Sequence, residues 1–242
     1  MIRILMILAA ALLAVPGSAQ TYAEAPAIAT RLASRQDIVV AGRPYVVIGR
    51  PENVWIVNYQ KENWIQLRCW SGDRPPWDRP GVDRIGLDGW KQPYRWGAPV
   101  DLRIRLILHE NSLPEKGGWL NLFETHEKNW AGVGFIRLML EWSNGLKRPI
   151  LRLRAGNTVL WTDERPVLWQ PYTLRLRFTA GGPGTVEAWM FDRQVAYWRG
   201  FVGHGPLFPL YPQFRIYRNA QARTATVYVK IDSHDEGPPP KL

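Results

Sequence analysis

Hydrophobic and polar residues alternate with a period of two along most of the chain. In Trp64–Trp70, Ile65, Leu67 and Cys69 fall on one side and Gln66, Arg68 and Trp70 on the other. Asp101–His109 repeats the pattern, with Leu102, Ile104, Leu106 and Leu108 opposed to Arg103 and Arg105. In Thr224–Ile231, Ala225, Val227, Val229 and Ile231 face inward, and Thr226, Tyr228 and Lys230 do not. This is the signature of strands buried on one face. Further β-type runs are predicted at 38–40, 45–48, 120–123, 135–142, 150–154, 172–178, 185–191 and 213–217. Between them stand turn formers: Ser71-Gly72-Asp73, Ser143-Asn144-Gly145, Ala155-Gly156-Asn157 and Gly181-Gly182-Pro183-Gly184. No long helical periodicity and no internal repeat occurs. Many short strands joined by Gly- and Pro-rich turns predict an all-β sandwich or jelly roll.

The ends are expected to differ from this body. A basic start (Arg3), an apolar run from Ile4 to Val15 and the small residues Gly17 and Ala19 predict a signal peptide over 1–19, cleaved near Ala19, and hence a secreted or periplasmic protein. The run is short for a membrane span, and no later segment is apolar enough for stable insertion. Residues 20–44 are expected to form an arm, with its first part extended or in a short helix. The sandwich is predicted over 45–235, and a disordered, proline-rich tail over 236–242. The single cysteine, Cys69, cannot form an internal disulfide and is expected to be a small buried hydrophobe.

Composition changes the picture in one respect. At 242 residues the chain suits one all-β domain, and 46% hydrophobic against 21% charged residues excludes disorder as its main state. Its formal net charge is +10, which favours polyanionic partners. For an exported protein these are anionic polysaccharides rather than nucleic acid. Most of the 13 tryptophans are expected in core or strand positions, with the remainder available to stack on sugars. The pairs Arg103/Arg105, Arg152/Arg154 and Arg175/Arg177 each lie on one sheet face. Solvated outer faces explain most of them; a pair lining a groove would grip a carboxylate bidentately.

Three stretches, in order, resemble the jelly-roll polysaccharide lyases, the concanavalin-A-like enzymes that include alginate, glucuronan and heparin lyases. The first is Leu67–Arg74 followed by Val82–Leu87, similar to that family's strand ending in Arg-Pro-Gly-Asp and its acidic-Arg-Ser-Glu-Leu block. The second, Leu122-Phe123-Glu124-Thr125-His126, stands where the family has Gln-Ile-His. The third, Tyr211–Arg218, is similar to Tyr-Phe-Lys-x-Gly-Ile-Tyr-Arg. Leu168–Tyr172 and Gly184–Trp189 resemble the strand pair before it, so the likeness covers most of 45–233.

The resemblance implies a sandwich of two antiparallel sheets and β-elimination on a uronic-acid polymer. A proton beside a charged carboxylate is barely acidic, so that carboxylate must be neutralised before the proton leaves. On this chain the resemblance assigns that task to Arg84 and the proton transfers to His126 and Tyr217, with Glu124 beside them. It assigns substrate contacts to Arg68, Trp70, Gln213, Arg215 and Arg218. No cofactor is implied; a structural calcium would have Asp232 and Asp235 as candidate ligands. The expected assembly is a monomer.

Four positions depart from the family pattern. Glu124 replaces Gln, which repels a substrate carboxylate unless it is protonated or paired. Gly86 replaces Glu, Gln213 replaces Lys, and Arg215 replaces Gly. Arg215 either meets the substrate carboxylate, pairs with Glu124 or obstructs the cleft. These departures are the case for the alternative, a non-catalytic carbohydrate-binding protein on the same fold. A glycoside hydrolase would need two facing carboxylates; Glu124 with Glu127 is disfavoured, because residues three apart face opposite sides of a regular strand.

Overall fold

The structure, a computed structural model, describes residues 29–32, 35–50, 53–73, 75, 78, 80–128, 134–219 and 221–238. The expected signal peptide and the last residues of the expected tail lie outside them. Sixteen strands build two eight-stranded antiparallel sheets. The first runs in the order β1 (Ala29–Arg31), β4 (Val54–Tyr59), β5 (Glu62–Cys69), β16 (Ala225–Glu236), β7 (Ala98–Leu108), β12 (Pro171–Ala180), β13 (Gly182–Met190), β14 (Arg193–Val202). The second runs β11 (Thr158–Asp163), β10 (Arg148–Ala155), β9 (Ile136–Ser143), β8 (Trp119–Glu127), β15 (Leu210–Asn219), β6 (Val82–Asp88), β3 (Arg43–Ile48), β2 (Asp37–Val40). Apart from 3-10 conformation at Glu110–Ser112 and at Asn53, no helix occurs among the described residues, and none there is long and apolar enough to cross a membrane. The fold is a jelly-roll sandwich, as the alternation predicted.

Each run predicted from alternation lies on a strand. The strands that alternation did not single out are β1, β4, β6, β11 and β14. Three of these (β1, β11, β14) are sheet edges, where both faces stay partly in water and no clean in–out pattern is required. On β14, for instance, Tyr197 and Phe201 are exposed. The described part of the expected arm belongs to the sandwich: β1 and β2 are edge strands, and no helix forms over 29–32 or 35–44.

The sheets close on one apolar layer. Leu102, Ile104, Leu106, Leu174, Leu176, Val227 and Val229 enter it from the first sheet; Leu120, Phe123, Leu138, Leu140, Leu153, Phe214 and Ile216 enter from the second. Each such side chain contributes roughly 1.5–3 kcal/mol on burial, which makes the layer the source of stability in a domain without a disulfide. Cys69 is fully buried, and burial pushes its thiol pKa up, so it packs as a hydrophobe and is not a reactive thiol.

The arginine pairs divide between the sheets. On the first sheet's outer face Arg175 and Arg177 share Asp101 (2.6 and 2.8 Å), and Arg105 holds Asp232 and Glu62. Asp232, one of the two carboxylates considered for calcium, is therefore engaged by a guanidinium. Among the described residues no cluster of three or more His, Cys, Asp or Glu could hold a metal. Arg152 and Arg154 lie on the second sheet, both against Glu141.

Candidate active site

Four neighbouring strands of the second sheet, β6, β15, β8 and β9, turn polar side chains outward from the core. Their register sets who meets whom. Gln213 stands opposite Asp88 on one side and Glu124 on the other, and Glu124 stands opposite Arg137. Arg215 faces Gly86, Tyr217 faces Arg84, and Tyr211 faces His126. A β-bulge in β8 between Asn121 and Phe123 adds one residue relative to β9 and resets the alternation. Leu122 and Phe123 consequently both enter the core, and Asn121 and Glu124, three apart, share the outer face, where the Asn121 amide donates to the Glu124 carboxylate.

Glu124 is the buried centre of this group, only 1% exposed, and the Arg215 guanidinium donates to it. Burial alone would raise its pKa. The Arg215 charge, His126 and the Arg215 hydrogen bond oppose burial and hold the carboxyl below its ordinary value. Glu124 is thus an ionised carboxylate whose charge is matched inside the protein, which answers the question left by the Gln replacement. Arg215 also stacks on Tyr217, its guanidinium carbon 4.4 Å from the ring centroid. Its position opposite Gly86 is required sterically: a Cβ at residue 86 would lie 2.3 Å from the Phe214 carbonyl oxygen and 2.6 Å from the Arg215 Cα. The exchanges at 86, 124 and 215 form one coupled set, in which the small residue sits on β6 and the cation on β15 neutralises the acid on β8.

Arg84 closes one side. It makes long ion pairs to Asp78 (3.4 Å) and Asp88 (3.5 Å) and lies 5.9 Å from the Tyr217 ring centroid. Burial raises the Asp88 pKa, with Arg84 and Arg215 acting against it. Gln213 donates to Asp88 at 2.8 Å. On the other side His126 sits beside Tyr211, ring centroids 5.6 Å apart. Burial lowers the His126 pKa to about 4 against the pull of Glu124, so the imidazole is neutral at neutral pH. Its Nδ1 lies 3.8 Å from Glu124, beyond hydrogen-bond range. Tyr217 is half-buried and packs edge-on against Trp119 at 5.3 Å.

Several buried polar atoms of this face have no partner within the protein: Arg84 Nε, Asn121 Oδ1, His126 Nδ1, Arg137 Nε, Gln213 Oε1 and Arg215 Nε. Native proteins leave few such atoms unpaired, so this face holds a concentration of under-satisfied polar groups. The wider face is cationic: the guanidiniums of Arg84, Arg137, Arg152, Arg154 and Arg215 outnumber the carboxylates of Asp88, Glu124 and Glu141.

The structure therefore places Arg84, Glu124, His126, Gln213, Arg215 and Tyr217 on one sheet face, with His126 at the Tyr211 end and Arg84 beside Tyr217. Three expected contacts lie elsewhere. Arg218 points into the sandwich, 1% exposed, with its Nε 3.1 Å from Asp83 and Nη2 donating to the Cys69 carbonyl oxygen. It is a structural ion pair, because neighbours in a strand face opposite ways and Tyr217 takes the outer side. Arg68 and Trp70 belong to β5 and its following turn, at the end of the other sheet. Tyr211, Asp88, Asn121 and Arg137 join the site unforeseen. Period-two spacing from Gln213 and Arg84 would have found Tyr211 and Asp88; the bulge hides Asn121, and nothing local distinguishes Arg137.

No protein-family model matches the sequence, and no curated protein is similar to it. Solved structures share the fold. The catalytic domain of a GH131 β-glucanase from Podospora anserina superposes with TM-score 0.55 at 10% identity, covering 77% of this chain and 80% of that one. Alginate lyase AlgAT5 of Polysaccharide Lyase family 7 gives 0.55 at 12% identity over 85% and 91%. The endo-β-1,4-glucuronan lyase of Trichoderma reesei gives 0.50 at 12% identity over 87% and 94%.

Proposed function

We propose that the protein is an exported polysaccharide lyase that cleaves a uronic-acid polymer by β-elimination on the outer face of the second sheet. What supports this reading is that an arginine, an imidazole and a phenol lie on the outer face of three adjacent strands, around the Glu124–Arg215 pair. Alginate and glucuronan lyases of the same fold act on such polymers, in keeping with the cationic face.

In this mechanism Arg84 pairs with the sugar carboxylate. The buried Arg215 cation adds to the positive potential there without touching the sugar, so that negative charge developing next to C5 is stabilised. His126, neutral because it is buried, accepts the C5 proton. The C5–H electron pair forms the C4=C5 double bond, the C4–O4 bond breaks, and Tyr217 protonates the departing O4. One chain end carries an unsaturated uronate and the other a free hydroxyl. Glu124 takes no part as acid or base: held ionised by Arg215, it fixes that guanidinium and raises no net repulsion against the substrate.

Incubation with alginate, glucuronan and heparin, followed by the ultraviolet absorbance of the unsaturated product, tests this. One polymer is expected to respond. His126→Ala and Tyr217→Phe are each expected to lower the rate by about 10²–10⁴-fold, the range of a lost proton-transfer group. Silence on all three polymers combined with binding to one leaves a carbohydrate-binding protein. Reducing ends without an unsaturated product would indicate a hydrolase instead.

A further inference from the structure

Arg68 and Trp70, absent from the polar face of the second sheet, define another feature at the end of β5, where the chain crosses towards β6. Arg68 alternates with the core residues Leu67 and Cys69 on β5, so it points away from the second sheet. Together with Arg50, Asn53, Trp70, Ser71 and Asp73 it lines a hollow of about 400 Å³.

The hollow is built around a fixed aromatic plane. Trp70 is 49% exposed, yet its position is set by buried groups. Its indole Nε1 donates to Asn53 Oδ1 at 3.1 Å, and its backbone N–H donates to Asp73 Oδ2 at 2.8 Å. Asn53 donates to the same carboxylate at 2.5 Å. Asn53 and Asp73 are themselves 1% and 2% exposed. Arg50 completes the ring of donors, its Nε 3.2 Å from Asp73 Oδ1, while most of that side chain remains in water. With the Asp73 charge consumed by these donors, the mouth presents Arg50 and Arg68, and no described carboxylate pairs with Arg68.

A rigid, half-exposed indole beside two accessible guanidiniums is the pairing that one acidic sugar requires. The ring stacks on the apolar face of a pyranose at small entropic cost, and a guanidinium takes the carboxylate in two parallel hydrogen bonds. We infer that this hollow is a second binding site for a uronate unit of the polymer, distinct from the sheet face that carries His126 and Tyr217. For the identity of its ligand the inference rests on the proposed function. A polymer held at both places gains avidity through effective concentration, without any new contact at that face.

Asp73 is a poor probe, because its carbonyl also accepts the Arg84 backbone N–H at 2.6 Å; Arg68 reaches only outward, and the Trp70 side chain touches the buried groups through one hydrogen bond to Asn53. The experiment is calorimetric titration of hexasaccharides from alginate and from glucuronan into the His126→Ala protein, which leaves the probe intact. Adding Trp70→Ala or Arg68→Ala is expected to remove one class of sites and weaken binding about tenfold, the factor that about 1.4 kcal/mol makes. Trp70→Phe, which keeps a ring, is expected to restore most of it, and unchanged circular dichroism shows that the variants fold. Isotherms for Trp70→Ala and Arg68→Ala that superimpose on the His126→Ala background overturn the inference, as does an absence of heat with both hexasaccharides. Loss of binding in Trp70→Ala, in a protein that yields no unsaturated product, would sustain the hollow and remove the lyase reading. Product formation with unaltered binding in the Trp70 variants would do the reverse.

Discussion

Replacing Arg215 with alanine removes the cation that matches Glu124. The carboxylate is 1% exposed and Arg215 is 6% exposed, so water cannot enter to replace the lost partner, and Asn121 supplies only a neutral donor. Breaking a buried pair from one side costs about 3–5 kcal/mol, since it leaves an uncompensated charge. Against the roughly 5–15 kcal/mol of a typical domain that is a large share. Glu124→Gln strands the guanidinium instead and is expected to cost a similar amount. The double variant Glu124→Gln/Arg215→Gly removes both charges together and is expected to cost at least about 2 kcal/mol less than the sum of the singles. Urea unfolding at pH 7, followed by tryptophan fluorescence, measures all three. Because Arg215 holds the Glu124 carboxyl below its ordinary value, the pair's contribution is complete above about pH 4.3, the unfolded carboxyl's value, and is lost as pH falls from there through the folded value. The gap between native protein and Arg215→Ala should therefore narrow on acidification. A loss below about 1 kcal/mol for Arg215→Ala, or a double variant that merely adds the singles, would refute the coupled-set argument and return Glu124 to solvent.

Two further outcomes follow from the same geometry. Gly86→Ala pushes a methyl group against the Phe214 carbonyl and the Arg215 backbone, neither of which can swing aside, and is expected to lower stability by at least about 1–3 kcal/mol, read as a fall in the thermal midpoint. If His126 accepts the proton, the acid limb of the kcat/KM profile should fall near pH 4, where the buried imidazole protonates; a limb at 6.5 would refute the burial-driven shift, and a limb unchanged in His126→Ala would assign the proton transfer to another group.

Much of the fold was legible because alternation is a local property. Whether Leu102, Ile104 and Leu106 face the core is decided by their own spacing, so the predicted runs all became strands. Edges such as β11 and β14 escaped because half-wet strands need no alternation. The likeness of Leu122–His126 and Tyr211–Arg218 to lyase strands likewise named residues that share a sheet face, since even spacing keeps Glu124 with His126 and Gln213 with Tyr217 on one side.

The chain's own order of residues thus settles strand character, the inward-facing set, the basic charge and the chemistry on offer. Partnership between strands was decided by the tertiary structure. Register between β6, β15 and β8 is a relation among segments up to more than a hundred residues apart, and only their packing makes Gly86 the floor beneath Arg215 and Glu124 its counter-ion. The same packing turned Arg218 inward to Asp83 and carried Arg68 and Trp70 to the opposite layer, because a strand's sheet is chosen by the closure of the whole core and not by its own sequence.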